Sequence, residues 1–243
     1  MADVASFEGK VAAITGAGQG VGEATARLFA AREVTGLALC DRDQGKLERV
    51  AGELTAAGCP TEPIRADLAE VDQADRGSID DMSVESFDLI FAINARAPFF
   101  LIQRALPHMR KAGGGAIVNV TSIVAHGGPP FITAYCGAKA ALAVMTKNIA
   151  NAVRFDRVRV NALNMGWTAT PGEHVTQMRW HGRSENWLAE VDREQPFGRL
   201  LRAEDIARAI AFLASDESAL MTGAVVDFDQ TVIGVYPDYN RKA

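Results

Sequence analysis

The chain has 243 residues, a formal net charge of −5 at pH 7, and a composition that is 48% hydrophobic and 23% charged. This length and composition suit one folded α/β domain over residues 1–243, and they exclude a disordered chain. The acidic balance argues against nucleic acid as a partner, because phosphate binding requires clustered basic side chains. We therefore expect a small-molecule ligand.

The sequence shows no sign of export, membrane insertion or metal binding. Residues 1–10 lack the charged start and apolar stretch of a signal peptide, and we find no apolar run of the roughly 18 to 20 residues that span a bilayer. The three cysteines form neither a disulfide set nor a CxxC spacing, and His174 and His181 lack a carboxylate partner at ligand spacing. These features predict a cytoplasmic protein without a metal site.

Short apolar runs alternate with amphipathic stretches, a pattern typical of βαβ units and a parallel sheet buried on both faces. The pattern predicts strands at residues 10–15, 36–40, 61–65, 116–121, 158–163 and 223–228. It predicts helices at residues 21–32, 44–57, 83–111, 132–154 and 203–214. Residues 166–198 form a longer mixed segment, which we interpret as a mobile cover over a ligand crevice. The predicted fold class is α/β, a doubly wound parallel sheet with helices on both faces.

A glycine-rich turn follows the first strand and opens the first helix. Backbone N–H groups and the helix dipole converge there, so an anionic pyrophosphate would fit. Glycines allow the phosphates to approach closely and tolerate positive φ angles, although a plain tight turn is the alternative interpretation. The candidate cofactor residues in this turn are Gly16, Gln19, Gly20, Val21 and Gly22.

The second strand ends in Asp41 and Arg42. A carboxylate about twenty residues beyond the glycine turn can accept hydrogen bonds from an adenosine ribose diol, and it would repel a 2′-phosphate. Arg42 could attract that phosphate, or it could be a surface salt-bridge partner. Because Gln19 is neutral, we favour NAD over NADP. Asp67 and Leu68, beyond the third strand, could flank the adenine, although Asp67 could equally cap a helix.

A candidate catalytic set lies in the second half of the chain. Tyr135 and Lys139 are four residues apart on one predicted helix, so they share a face. The lysine and an oxidised nicotinamide would favour the phenolate and move the pKa of Tyr135 toward neutrality. Ser122 ends a buried strand and could hydrogen-bond the substrate oxygen. Asn94 lies inside a predicted helix, where it could bend the helix, hold a water or face solvent.

These residues together resemble the short-chain dehydrogenase/reductase family, whose marks are T-G-x-x-x-G-x-G, an active-site Ser and Y-x-x-x-K. The resemblance covers nearly the whole chain and implies a Rossmann-type fold, with hydride transfer between NAD and a secondary alcohol or ketone. It implies that Tyr135 exchanges the hydroxyl proton, Ser122 steadies the oxygen, and Asn94 with Lys139 supports a relay water.

The resemblance also extends to the segment after the strand at residues 158–163. Gly166 and Thr170 match positions that hold the nicotinamide, whereas Met165 replaces the usual Pro. The resemblance further implies a homotetramer, with helices 83–111 and 132–154 at one interface and the C-terminal strand near another.

The sequence departs from the family between Asp67 and Asn94, which are only 27 positions apart. A further strand ending in N-N-A-G or N-A-A-G is expected there, and about twenty to twenty-five residues are lacking, with a junction near residues 74–77. Losing an interior strand would orphan backbone groups at about 1 to 3 kcal/mol each.

Two hypotheses account for this departure. In the first, the natural polypeptide carries the segment and this sequence lacks it; unbroken Cα spacings of about 3.8 Å over residues 74–77 would exclude that. In the second, residues 87–94 form a strand that fills the gap at the expense of their helix, which would make catalysis doubtful.

The residues of the cover favour a small polyhydroxylated alcohol or sugar as the substrate. They combine polar side chains with tryptophans that could stack on a ring, namely His174, Gln177, Arg179, His181, Asn186, Trp167, Trp180 and Trp187. The alternative function is a catalytically silent nucleotide-binding or assembly protein on the same fold, which the complete Ser, Tyr and Lys set disfavours.

Overall fold

The computed structural model describes residues 5–67 and 77–235, which form alternating strands and helices. The strands are β1 (Val11–Thr15), β2 (Gly36–Asp41), β3 (Thr61–Arg65), β4 (Gly115–Ser122), β5 (Val158–Met165), β6 (Thr168–Ala169), β7 (Leu201–Arg202) and β8 (Val225–Phe228). The helices are α1 (Gly20–Ala31), α2 (Gln44–Ala56), α3 (Val84–Phe91), α4 (Ala97–Lys111), α5 (Thr133–Val153), α6 (Pro171–His181), α7 (Trp187–Glu194) and α8 (Ala203–Ala214). The six predicted strands and the Rossmann-like α/β class are confirmed.

The six long strands pair in parallel, but in two groups of three. In the first group β2 lies between β1 and β3, and in the second β5 lies between β4 and β8. Within the described ranges no strand pairs with the free edge of β1 or β4, and Val11 on β1 is 74% exposed. The sheet is thus split between β1 and β4.

A single hydrophobic core holds the two groups of strands together. It joins Ile14 of β1 to Leu163 of β5 through Phe29 of α1 and Ile206 of α8, and α1 packs directly on α8. Helix α5 covers the opposite face of β4 and β5. The split therefore lies inside one packed α/β unit.

The predicted helix 83–111 is interrupted. It consists of α3, a π-helical turn (Ala92–Arg96) and α4, and the side chain of Ser83 caps its start by accepting from Ser86 N at 3.1 Å. Phe87 and Phe91 stack one helical turn apart, with ring centres separated by 4.7 Å. The hypothesis that residues 87–94 form a strand is therefore wrong.

The same helical stretch corrects a second expectation. Val84–Lys111 is long and apolar enough to cross a membrane by length and composition, with a mean hydropathy of 1.3 in its most apolar window. Only 28% of that window is buried, but the stretch packs against α5 and β4. We interpret it as a packing helix of the α/β fold.

Two predictions fall outside the described residues. They are the adenine contact of Leu68 and the Cα spacing over residues 74–76. Gly77, at the start of the second described range, forms an isolated parallel bridge with Ile132 just before α5.

Candidate active site

The turn between β1 and α1 has the geometry of an anion cradle. Gly16 and Gly20 have φ angles of +66° and +60°, and a Cβ added to Gly22 would lie 2.1 Å from the Gly16 carbonyl oxygen. Side chains are therefore excluded at these positions. Gln19, the N-cap of α1, makes no side-chain capping bond, so the first N–H groups of the helix remain open toward the turn. Val21 packs below the turn against the core.

Strand β2 brings Asp41 to this turn. Its Oδ2 accepts a hydrogen bond from Gly18 N at 2.8 Å, and its Oδ1 accepts from Asp43 N at 3.0 Å. The carboxylate is thus fixed at the position predicted for the adenosine ribose. Arg42 beside it is exposed and pairs with no acidic side chain of the described residues. Asp67 lies two residues beyond β3, so its proposed role stays a prediction.

The predicted nicotinamide residues lie at the end of β5 and the start of α6. A Cβ on Gly166 would lie 1.9 Å from Asp229 Oδ1, so only glycine fits there. Thr170 is the N-cap of α6, and its side chain lies 3.5 Å from the position of a Cβ on Gly20. Met165 pairs with Ser122 and Phe228, so the strand continues through the position where the family has Pro.

Three of the four predicted catalytic side chains lie together. Tyr135 is in the first turn of α5, and the side chain of Ser122, at the end of β4, is close enough to the phenol to lower its pKa. Lys139 lies one turn further along α5, with its Nζ 5.5 Å from the centre of the Tyr135 ring. Its ammonium donates to the carbonyl oxygen of Val120 at 3.0 Å.

The two titratable members of this group have strongly shifted pKa values. Burial raises the pKa of Tyr135 to about 12, against the lowering effect of Ser122. Burial lowers the pKa of Lys139 to about 8. The expectation that the pKa of Tyr135 moves toward neutrality is therefore wrong for the protein alone, because desolvation disfavours the phenolate more than its neighbours favour it. A positively charged nicotinamide would act in the opposite direction.

Asn94 lies in the π-helical turn, as expected of a residue that bends its helix. Its Nδ2 donates to the Ile90 carbonyl oxygen at 3.0 Å. Within the described residues it makes no hydrogen bond to Ser122, Tyr135 or Lys139. The π turn packs against α5, so the backbone around Asn94 adjoins the helix that carries Tyr135.

The mixed segment interpreted as a mobile cover contains two helices, α6 and α7. Trp187 is 1% exposed and packs with Val191 and Leu200, and its Nε1 donates to His174 Nδ1 at 2.9 Å. Trp187 is therefore unavailable to stack on a substrate, contrary to the expectation. Exposed Trp180 instead carries the Arg179 guanidinium 5.0 Å above its ring.

Glu173, which sequence reasoning missed, also lies near Tyr135. Its Oε1 accepts hydrogen bonds from Trp167 Nε1 and from Gln177 Nε2, both at 2.7 Å, and its charge contributes to the raised pKa of Tyr135. The available signal was the Thr170-x-x-Glu173 spacing, which marks a helix start. Thr170 Oγ1 does accept from Glu173 N, at 3.1 Å.

A row of polar side chains crosses the second group of strands beside Ser122. Thr121, Asn164 and Asp227 are in register on β4, β5 and β8, and they are linked by hydrogen bonds through the Asn164 amide. His126 Nε2 lies 2.9 Å from Asp227 Oδ1. This row ties the loop after Ser122 to β8. In the described part of the chain, no group of three or more His, Cys, Asp or Glu side chains could hold a metal ion.

Comparisons with known proteins agree with this geometry. A family model described as short chain dehydrogenase matches residues 10–78, and one described as Enoyl-(Acyl carrier protein) reductase matches residues 73–230. An uncharacterized oxidoreductase of Thermotoga maritima is 32% identical, over 92% of this chain and 97% of that protein. A probable galactose dehydrogenase of Rhizobium meliloti is 31% identical, over 89% of this chain and 92% of the relative.

A solved structure of a similar protein also agrees with this geometry. L-sorbose reductase from Gluconobacter frateurii, complexed with NADPH and L-sorbose, superposes with a TM-score of 0.85 at 25% identity, covering 95% of this chain and 99% of that chain.

The comparisons also bear on the split sheet. The alignment with the Thermotoga protein runs over 246 positions but takes in 92% of the 243 residues here, about 224, so about 22 positions have no counterpart. This shortfall agrees in size with the segment predicted to be missing, and the two family models meet at residues 73–78. Because the matches nonetheless extend over nearly the whole chain, it belongs to the short-chain dehydrogenase/reductase family.

Proposed function

We propose that this protein is an NAD-dependent oxidoreductase that interconverts a secondary alcohol, with a sugar or polyol favoured, and the corresponding ketone. The observation that carries the proposal is the Tyr135 phenol beside Ser122, with Lys139 Nζ 5.5 Å from the centre of the Tyr135 ring. The names of two similar proteins, a probable galactose dehydrogenase and an L-sorbose reductase, support a sugar or polyol. The nicotinamide, when bound, supplies the hydride acceptor or donor.

Each of the three side chains has a role that follows from its chemistry. In the oxidation direction the substrate carbon loses a hydride, and the hydroxyl proton passes to Tyr135 Oη; reduction returns both. Ser122 Oγ donates a hydrogen bond to the substrate oxygen and holds it beside the phenol. Lys139 in its charged form stabilises the phenolate and so facilitates the loss of the Tyr135 proton.

The choice of NAD rests on Asp41. Two backbone N–H groups, from Gly18 and Asp43, hold its carboxylate beside the glycine turn, where it can accept from a ribose diol but repels a 2′-phosphate. Exposed Arg42, and Lys46, whose Nζ donates to Gln19 Oε1 at 2.9 Å, are cations that favour NADP. Replacing Asp41 with Ser should therefore shift the preference from NAD toward NADP, and Asp43→Ser serves as a control at the neighbouring carboxylate.

The split sheet favours one alternative, a protein that binds the dinucleotide without turnover. The free edges of β1 and β4 flank the region between the glycine turn and Ser122, where a missing strand would complete the crevice. A catalytically silent protein would still bind the dinucleotide at the glycine-rich turn but would not catalyse hydride transfer.

One experiment separates the two candidates. NAD and NADP are each titrated calorimetrically, and the formation of reduced nicotinamide is then followed with a panel of sugars, polyols and cyclic alcohols. The proposal predicts tighter binding of NAD and turnover of at least one polyol. Binding without turnover in either direction would instead establish the silent alternative.

The homotetramer is supported by an exposed apolar surface. A groove of about 540 Å³ runs along the π turn, α4 and α5 and is lined by Phe91, Phe99, Phe100 and Met145 among others. Burial of such a surface drives self-association. Sedimentation of the protein beside a Phe100→Asp variant tests this, and an unchanged monomer in both would contradict it.

A further inference from the structure

One carboxylate near the proposed site has no role in the hydride transfer described above. Glu173 lies in the first turn of α6, and both of its hydrogen-bond donors, Trp167 Nε1 and Gln177 Nε2, bind the same oxygen, Oε1. Gln177 is only 5% exposed, so this oxygen is fixed from the inside of the cover. Among the described residues no donor reaches Oε2.

The first turn of α6 lies beside the glycine-rich turn that follows β1. The N-cap of α6, Thr170, adjoins Gly20 of the glycine-rich turn, and a Cβ on Gly172 would lie 3.8 Å from Gln19 Nε2. The Glu173 carboxylate is close enough to Tyr135 for its charge to act on the phenol. Glu173 is thus carried by a turn that adjoins the cofactor residues, and its charge acts on Tyr135; a substrate between them would meet Oε2, the oxygen that no described donor reaches.

The charge of Glu173 is unfavourable for catalysis as such. Its two hydrogen-bond donors, Trp167 and Gln177, are neutral, and a negative charge beside Tyr135 disfavours the phenolate. A free carboxylate oxygen in this position is a strong acceptor for a hydroxyl group and repels a second carboxylate. The protein thus keeps a carboxylate that disfavours the Tyr135 phenolate but can accept a hydrogen bond from a polyol hydroxyl group.

We propose, on the basis of the function proposed above, that Glu173 determines substrate specificity. Its Oε2 accepts a hydrogen bond from a second hydroxyl group of a neutral polyol, next to the alcohol that is oxidised. The same carboxylate excludes alcohols that carry a carboxylate or phosphate at that position.

The test compares Glu173→Gln with the unaltered protein. Glutamine keeps an oxygen that can accept from Trp167 and Gln177, so the variant removes the charge and leaves the cover intact. Glu190→Gln, at an exposed carboxylate in the first turn of α7, is the matched control. The substrates are a vicinal diol and the α-hydroxy acid of the same chain length, and kcat and KM are measured for each across pH.

The expected result has three parts. For the diol, kcat/KM falls about tenfold or more through KM, which corresponds to one charged hydrogen bond. For the hydroxy acid, kcat/KM increases. The rise of kcat with pH moves to lower pH, because the variant lacks the negative charge beside Tyr135. Glu190→Gln changes none of these quantities. An unaltered ratio of diol to hydroxy acid in Glu173→Gln would overturn the inference while leaving the oxidoreductase proposal in place.

A second measurement does not require turnover. Diol binding to the NAD-loaded protein is followed by intrinsic tryptophan fluorescence, to which Trp167, whose indole donates to Glu173, contributes with Trp180 and Trp187. If no alcohol is oxidised but diol affinity falls about tenfold in Glu173→Gln, the inference stands and the oxidoreductase proposal fails. Equal diol affinity in both proteins overturns the inference whether or not turnover occurs.

Discussion

Replacing Lys139 with Met should change how stability depends on pH. Burial lowers the pKa of Lys139 from 10.5 to about 8. Below pH 8 Lys139 is protonated in both the folded and the unfolded state. The free energy of unfolding is then reduced by the full cost of burying the ammonium. Between pH 8 and 10.5 the folded state has released a proton that the unfolded state still binds, so stability rises with pH. Lowering the pKa of Lys139 from 10.5 to about 8 corresponds to about 3 kcal/mol in the free energy of unfolding.

Urea unfolding at pH 7, 8, 9 and 10 measures this rise over a range in which the contribution of Tyr135 is nearly constant. The pKa of Tyr135 is raised from 10.0 to about 12, so its contribution is complete below pH 10 and is lost as the pH rises toward 12. The unaltered protein should gain about 2 to 3 kcal/mol between pH 8 and 10, and Lys139→Met should show no such gain.

The variant also leaves the Val120 carbonyl without its Lys139 donor. This costs about 1 to 3 kcal/mol at every pH and does not alter the slope. Lys147→Met, at an exposed position on the same helix, is the control and should keep the rise. A flat profile in the unaltered protein, or a rise that persists in Lys139→Met, would refute the reasoning.

Three further predictions concern the cradle, the cover and the split sheet. Gly22→Ala should weaken NAD binding at least tenfold in a calorimetric titration, because its Cβ would overlap the Gly16 carbonyl oxygen; Gly52→Ala, which meets nothing within 4 Å, should leave binding unchanged. Trp187→Ala should lower the free energy of unfolding by about 3 to 5 kcal/mol in urea titrations, whereas exposed Trp180→Ala should have little effect. In hydrogen exchange, the outward amides of β1 and β4 should exchange faster than those of β2 and β5, and equal protection would mean that another strand pairs with these edges.

The parts of the molecule that the sequence predicts well depend on local rules. Glycines that need positive φ and a four-residue spacing on a helix can be read without knowledge of the tertiary structure, so the cradle and the Tyr135–Lys139 pair are where they were expected. Trp187 shows the limit of such reasoning. Its burial follows from the packing of α7 against Leu200, a contact between elements that composition does not reveal.

The pKa of Tyr135 and the role of Glu173 were missed for the same reason. Desolvation depends on everything that surrounds a side chain, and it outweighs the single neighbour that sequence spacing identifies. The charge of Glu173 acts on Tyr135 from a helix that is distant in the sequence, which no local rule predicts. The break in the sheet, in contrast, was expected from the family resemblance, because the N-N-A-G or N-A-A-G motif is absent and only 27 positions separate Asp67 from Asn94; within the described ranges no strand pairs with the free edges of β1 and β4.

The central claim is that Tyr135 exchanges the proton of the substrate hydroxyl. Tyr135→Phe keeps the ring and removes only Oη, so the dinucleotide cradle and the α5 packing stay intact. Turnover of the best polyol with NAD and the affinity for NAD are measured on the same preparation. We predict that turnover falls by about 10² to 10⁴ while NAD affinity is unchanged. Turnover that persists at the level of the unaltered protein would contradict the assignment of Tyr135 as the proton-exchanging residue.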